Sequence, residues 1–241
     1  MTKAVLFDVD FTLIYPGPTF QGEGYQAFCA SYGIEADAAL FPAAIADASA
    51  LLQAPDDAVY DDEVYVAYTR RIIEGMGGRG DQITACAREI YAEWAACRHF
   101  TLYEDVSEVL RTLANDGIRV GLVSNSHRCL STFQSHFALD GLIAATISSS
   151  EHGLMKPHPS IFAAALQRLD VEPADAIMVG DSIQHDVDGA LRAGMRAALL
   201  HRDRAPHPRE RELLARGVPT IRTLHALPEL LVRERSNALV A

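Results

Sequence analysis

Two aspartates one residue apart, then a threonine, close an apolar run near the start of the chain: Asp8, Asp10 and Thr12 in AVLFDVDFTL. On an extended strand, carboxylates two positions apart point the same way and repel each other. Such a pair calls for positive charge, and a bound cation would supply it. Three later apolar runs end in reactive or polar residues as well. LVSNS brings Ser124 and Asn125, GLMKPHPSIF brings Lys156, and VGDSIQHD brings Asp181 and Asp186. Lys156 and Lys3 are the only lysines in a chain whose remaining basic charge is arginine. Taken singly, each motif has an ordinary reading. DxD and GDS are common turns, and Lys-Pro is common in surface loops. In order, and each at the end of an apolar run, they form one set: four acids, one lysine and several hydroxyl or amide donors.

Something must bring these run ends to one place, and the pattern of elements between them shows what. AVLFDVD reads as a short buried strand. From residue 105 helical and strand patterns alternate. Helix VSEVLRTLANDG precedes strand IRVGLVS, and helix LSTFQSHFA precedes LIAATIS. Helix PSIFAAALQRL precedes AIMVGD, and helix VDGALRAG precedes RAALL. A short strand near VPTI and a helix, LHALPELLVRE, close the chain. Strands alternating with helices mean βαβ units and a parallel sheet, a Rossmann-like α/β core. Residues 21–98 differ: apolar residues recur there at helical spacing with no strand between them. The expected organisation is an α/β core of residues 1–15 and 99–241, with an all-helical cap of residues 16–98 inserted after the first strand. In an open parallel sheet, ligands bind beyond the carboxyl ends of the strands, where all of these residues fall.

The order DxDxT, strand-terminal Ser, Lys-Pro and GDxxxxD resembles the haloacid dehalogenase superfamily over nearly the whole chain, and the helical insertion resembles its type I cap. The resemblance implies a Mg2+-dependent phosphatase acting on a small phosphorylated metabolite. It implies Asp8 as the nucleophile that forms an aspartyl-phosphate, and Asp10 as the acid and base. Mg2+ would be held by the Asp8 carboxylate, the Asp10 carbonyl and the Asp181 carboxylate, with Asp186 behind them. Thr12, Ser124, Asn125 and Lys156 would hold the phosphoryl group, together with backbone N–H groups near Phe11 and Asn125. Small and aromatic residues after the first linker make Phe20, Gln21 and Tyr25 the expected substrate contacts of the cap. A phosphomutase of the beta-phosphoglucomutase type is the alternative. A dehalogenase fits less well, since those members lack the second aspartate. One residue departs from the pattern: Phe11 stands where glycine is usual. The expectation is that it keeps an ordinary backbone conformation and finds a place for its ring.

Composition sets the outer limits. The chain has 241 residues, 49% of them hydrophobic, and a net charge of −11. That charge disfavours nucleic acid and anionic membranes as partners. No apolar stretch approaches the roughly 20 residues of a membrane span, so the chain reads as cytoplasmic; the expected state is a monomer or a weak homo-oligomer. Cys29, Cys86, Cys97 and Cys129 are scattered and read as reduced. GMGGRG (residues 75–80) matches a dinucleotide fingerprint but follows a helix rather than a strand. It reads as a joint between helices, with Asp81 as N-cap of the second. Arg70 and Arg71 read as surface residues of the cap, with a substrate carboxylate as the alternative contact.

Overall fold

The computed structural model describes residues 2–52, 59–203 and 205–238, without the side chains of residues 233–238. Its centre is a six-stranded sheet in the order β5-β4-β1-β6-β7-β8. The strands are β1 (Ala4–Phe7), β4 (Arg119–Ser124), β5 (Ala145–Ser148), β6 (Ala176–Gly180), β7 (Arg196–Leu200) and β8 (Thr220–Ile221). Every pairing is parallel. The first strand of the chain lies in the middle: Ala4 faces Arg119 on one side and Ala176 on the other, and Phe7 faces Leu122 and Val179. A strand so placed is covered on both faces, which is why β1 and β6 are continuous apolar runs, buried throughout.

The helices between the strands cover that sheet: α5 (Val106–Asn115), α6 (Leu130–His136), α7 (Ser149–His152), α8 (Pro159–Leu169), α9 (Gly189–Arg192) and α10 (Glu210–Ala215), and α11 (Ala226–Ala238) follows the last strand and packs on α5. On one face, Ile161, Phe162, Ala165 and Leu169 of α8 pack with Leu6, Val123, Met178 and Leu199 of the strands. Pro159 at the first position of α8 and His158 before it, accepting from the Ser160 N–H at 3.2 Å, start that helix directly after the Lys156 loop.

Contacts divide the chain into two units. One takes Met1–Tyr15 and Leu102–Ala241, the other Pro16–Pro55 and Val59–Thr101. The second boundary therefore falls three residues beyond the expected 98/99. The second unit is a helical insertion of α1 (Gly22–Ser31), α2 (Phe41–Ala48), α3 (Asp62–Gly75) and α4 (Ile83–Trp94), with α3 packed against α2 and α4. Its interior holds Val66, Ile72, Ile73, Met76, Cys86 and Ile90. Two three-residue strands, β2 (Ile14–Pro16) and β3 (Phe100–Leu102), pair with each other where the chain passes between the units. The GMGGRG stretch joins α3 to α4 and so has no strand before it. The N-cap of α4 is Gln82, not Asp81. Arg71 pairs with Asp47 at 2.6 Å, and Arg70 lies 3.6 Å from Glu74, both as exposed pairs of the insertion. No helix among the described residues is long and apolar enough to cross a membrane.

Candidate active site

Parallel pairing puts the carboxyl ends of β1, β4, β5 and β6 on one edge, and the residues singled out above gather there. Lys156 is the hub. Its ammonium donates to Asp8 Oδ1 and to Asp186 Oδ1, each at 2.6 Å, and its side chain is 2% exposed. Burial works against the charge on Lys156, but the Asp186 and Asp8 carboxylates outweigh it and raise the pKa. Asp186 accepts on its other oxygen from the Ser182 N–H at 3.0 Å. A π-helical turn over Ile183–Asp188 aims it there, its i→i+5 bond running from Val187 N–H to Ser182 C=O at 3.2 Å. Gly180 leaves the room Asp186 needs: a Cβ on it would fall 2.2 Å from Asp186 Oδ2.

Oxygen atoms of Asp8, Asp181 and Asp186 lie within 4.8 Å of one another. All-oxygen, all-carboxylate donors are the chemistry a hard divalent cation selects. The crowding is visible in the acids themselves. Loss of hydration raises the pKa of Asp8, Lys156 opposes it, and the Asp186 charge adds to it. Asp181 lies at the rim, but protein crowds its carboxyl. Restricted hydration, then the charges of Asp8 and Asp186, raise its pKa well above the usual range. The Thr12 hydroxyl points at Asp181 Oδ1 from 3.4 Å.

Asp10 is held apart from this group. Both of its oxygens lie 2.9 Å from Nη1 of Arg128, whose side chain is 1% exposed. Burial is the largest influence on Asp10 and raises its pKa; Arg128 opposes it and Asp8 adds to it. The electrostatic problem posed by two adjacent carboxylates is thus met by two different cations, Lys156 for Asp8 and Arg128 for Asp10. Arg128 escaped sequence reasoning, which looked for one shared cation. The available signal was a basic residue in the loop after β4, within reach of the same sheet edge.

Ser124 closes β4 just before that loop, and Asn125 opens it. Ser124 is buried and its hydroxyl donates to Ser126 Oγ at 3.0 Å. Asn125 latches the loop to that of Lys156: its amide donates to the Lys156 carbonyl at 2.9 Å and accepts from the Lys156 N–H at 2.7 Å. On the β1 side, Arg202 donates to the Thr12 carbonyl at 2.9 Å and to both Asp105 oxygens at 3.0 Å. Its guanidinium lies 3.7 Å from the centre of the Tyr103 ring.

Phe11 corrects an expectation. Its φ is +63°, the left-handed conformation, so phenylalanine takes on the geometry that glycine would adopt without strain. Its N–H donates to the Ile14 carbonyl at 2.7 Å, closing the turn after β1 rather than facing a ligand. The ring stays 46% exposed. Phe20, Gln21 and Tyr25 belong to the helical insertion. Phe20 is buried among Trp94, Phe100 and His99, and Tyr25 is buried beside Phe41, which gives both rings a packing role there. Gln21 is exposed at the start of α1.

With this geometry established, comparison with known proteins adds the family. Residues 2–194 match the family model of the haloacid dehalogenase-like hydrolases. The chain belongs to that family. Human N-acylneuraminate-9-phosphatase is 34% identical over 131 residues, 53% of this chain and 52% of that protein. Pyrophosphatase PpaX of Bacillus cereus is 38% identical over 103 residues, 41% of this chain and 45% of that protein. The chain thus spans about half the length of the curated relatives it matches. Among solved structures, the HAD hydrolase YfnB of Bacillus subtilis superposes with a TM-score of 0.73 at 17% identity, over 95% of this chain and 98% of that one. At that identity the likeness speaks for the fold, a parallel α/β core with a helical insertion.

Proposed function

We propose that the protein is a Mg2+-dependent hydrolase of small-molecule phosphate monoesters, working through an aspartyl-phosphate on Asp8. One observation carries the reading: Asp8 is clamped by Lys156 and grouped with Asp181 and Asp186, while Asp10, two residues on, is engaged separately. Identical groups in different surroundings suit different roles.

An Asp8 oxygen attacks phosphorus in line with the departing ester oxygen. Asp10 gives that oxygen its proton, for which the pKa raised by burial is suited. Asp10 then takes a proton from water, which attacks the aspartyl-phosphate and releases inorganic phosphate. Lys156 neutralises charge on Asp8 and on the phosphoryl oxygens, and Thr12, Ser124 and the Asn125 backbone would hold those oxygens. Asp8 and Asp181, with the Asp10 carbonyl, would hold Mg2+, which supplies the charge neutralisation an anion needs to approach another anion. Asp186, bonded to Lys156 and to Ser182 N–H, orients both the lysine and this ligand set. The two phosphatase relatives support the reaction class, and the second aspartate favours ester hydrolysis over dehalogenation, since a departing halide needs no proton.

The test is a panel of phosphate monoesters with Mg2+, with EDTA, and with the Asp8→Asn variant, read as released phosphate. Turnover should vanish in the variant and in EDTA, and return with Mg2+. Unchanged turnover in either would refute the mechanism. Isomerisation of a sugar phosphate without phosphate release would select a mutase.

A further inference from the structure

The mechanism above leaves one buried cation without a task. Arg128 places its guanidinium 1% exposed, with Nη1 2.9 Å from each oxygen of Asp10. Burying a guanidinium is costly unless its partner and geometry are good. The loop that carries it is fixed from several sides. Ser126 C=O accepts from Ser150 N–H at 3.3 Å and from the Ser149 hydroxyl at 3.4 Å, and Asn125 is doubly bonded to Lys156. An arginine anchored in this way is a fixed point, and its carboxylate partner is the proposed acid and base rather than a structural acid elsewhere.

We propose that Arg128 is a positioning residue for phosphoryl transfer, acting through Asp10. By holding both carboxylate oxygens it sets the rotamer of Asp10, so that the proton leaves and returns at one place. It also gives Asp10 a cation of its own, which leaves Lys156 to Asp8 and Asp186. The inference rests on the phosphatase reading and adds a residue that the motif order does not contain. A misplacement of about 1 Å in a reacting group can cost about a hundredfold in rate, which sets the scale of the expected loss.

The experiment uses the full chain with Mg2+ and p-nitrophenyl phosphate as probe. kcat and KM are measured for wild type, Arg128→Ala, Arg128→Lys, Asp10→Asn and the Arg128→Ala/Asp10→Asn double variant, and folding is followed by circular dichroism. Arg128→Ala should lower kcat by about 10- to 100-fold with KM within about threefold. Because one nitrogen makes both contacts, Arg128→Lys should recover part of the rate. In the Asp10→Asn background, removing Arg128 should cost less than about threefold more, since a residue acting through Asp10 has nothing left to position. Equal losses in both backgrounds, a loss confined to KM, or full activity of Arg128→Ala would overturn the inference. Should Arg128→Ala fail to fold, Arg128→Met, which keeps the apolar stem and removes the charge, enters the same cycle in its place and is judged by the same criteria. An inactive wild type overturns both readings; an active wild type with additive losses overturns this one alone.

Discussion

The left-handed backbone at Phe11 yields a prediction whose sign is opposite to the usual one. In ordinary backbone, alanine is more stable than glycine, because glycine loses about 0.4–1 kcal/mol more conformational entropy on folding. At φ +63° a Cβ instead costs about 1–2 kcal/mol. Comparing Phe11→Ala with Phe11→Gly removes the same ring from both, so the ring's contacts cancel and the backbone term stands alone. The glycine variant should then be the more stable by about 0.5–1 kcal/mol. For a chain of this length that corresponds to a difference in Tm of roughly 1–4 °C. Phe11→Asn, with a side chain that tolerates the left-handed region, should fall between them. Urea denaturation of the three variants, followed by far-UV circular dichroism, measures the order. An alanine variant as stable as glycine, or more so, would refute the backbone assignment.

Two further perturbations probe neighbouring features. Gly180→Ala drives a Cβ to within 2.2 Å of Asp186 Oδ2; displacing Asp186 from Lys156 should cost about 3–5 kcal/mol in urea denaturation and abolish phosphate release. Cys129 is exposed, while Cys29, Cys86 and Cys97 are buried; hydrogen bonds from the Ser131 and Thr132 hydroxyls bring its thiol pKa down to about 7. Since the thiolate is the reactive form, iodoacetamide should add one group to the folded protein, with a rate that rises with pH to half its maximum near pH 7. Mass spectrometry across pH checks this, and Ser131→Ala should move the midpoint upward.

Much of the architecture was legible because a doubly covered parallel sheet leaves a strong mark: β1, β4 and β6 had to be apolar on both faces, and polar residues at their carboxyl ends stood out. Lys156 was conspicuous as one of two lysines. The features that escaped have no local signature. Strands β2 and β3 are three residues each, too short to show a period. The π-helical turn at Ile183–Asp188 depends on Asp186 being drawn toward Lys156 and Ser182 N–H, an interaction outside any helical spacing. Asp10 and Arg128 are 118 residues apart in the chain, and only the sheet edge joins them. The expectation of an ordinary conformation at Phe11 failed because side-chain identity is a weak guide where tertiary bonds, here Phe11 N–H to Ile14 C=O, dictate the turn.

The central position of β1 also bears on how the protein is made. Its neighbours β4 and β6 begin more than a hundred residues later in the chain, and the whole helical insertion lies between β1 and both of them. During synthesis from the amino end, Asp8 and Asp10 therefore emerge long before Arg128, Lys156 or Asp186. Until those segments arrive, the two acids stand in water as an ordinary repelling pair. Pairings this remote in sequence also close slowly. The cluster around Asp8 is completed by the late steps of folding, so appearance of activity would time the completion of the sheet itself.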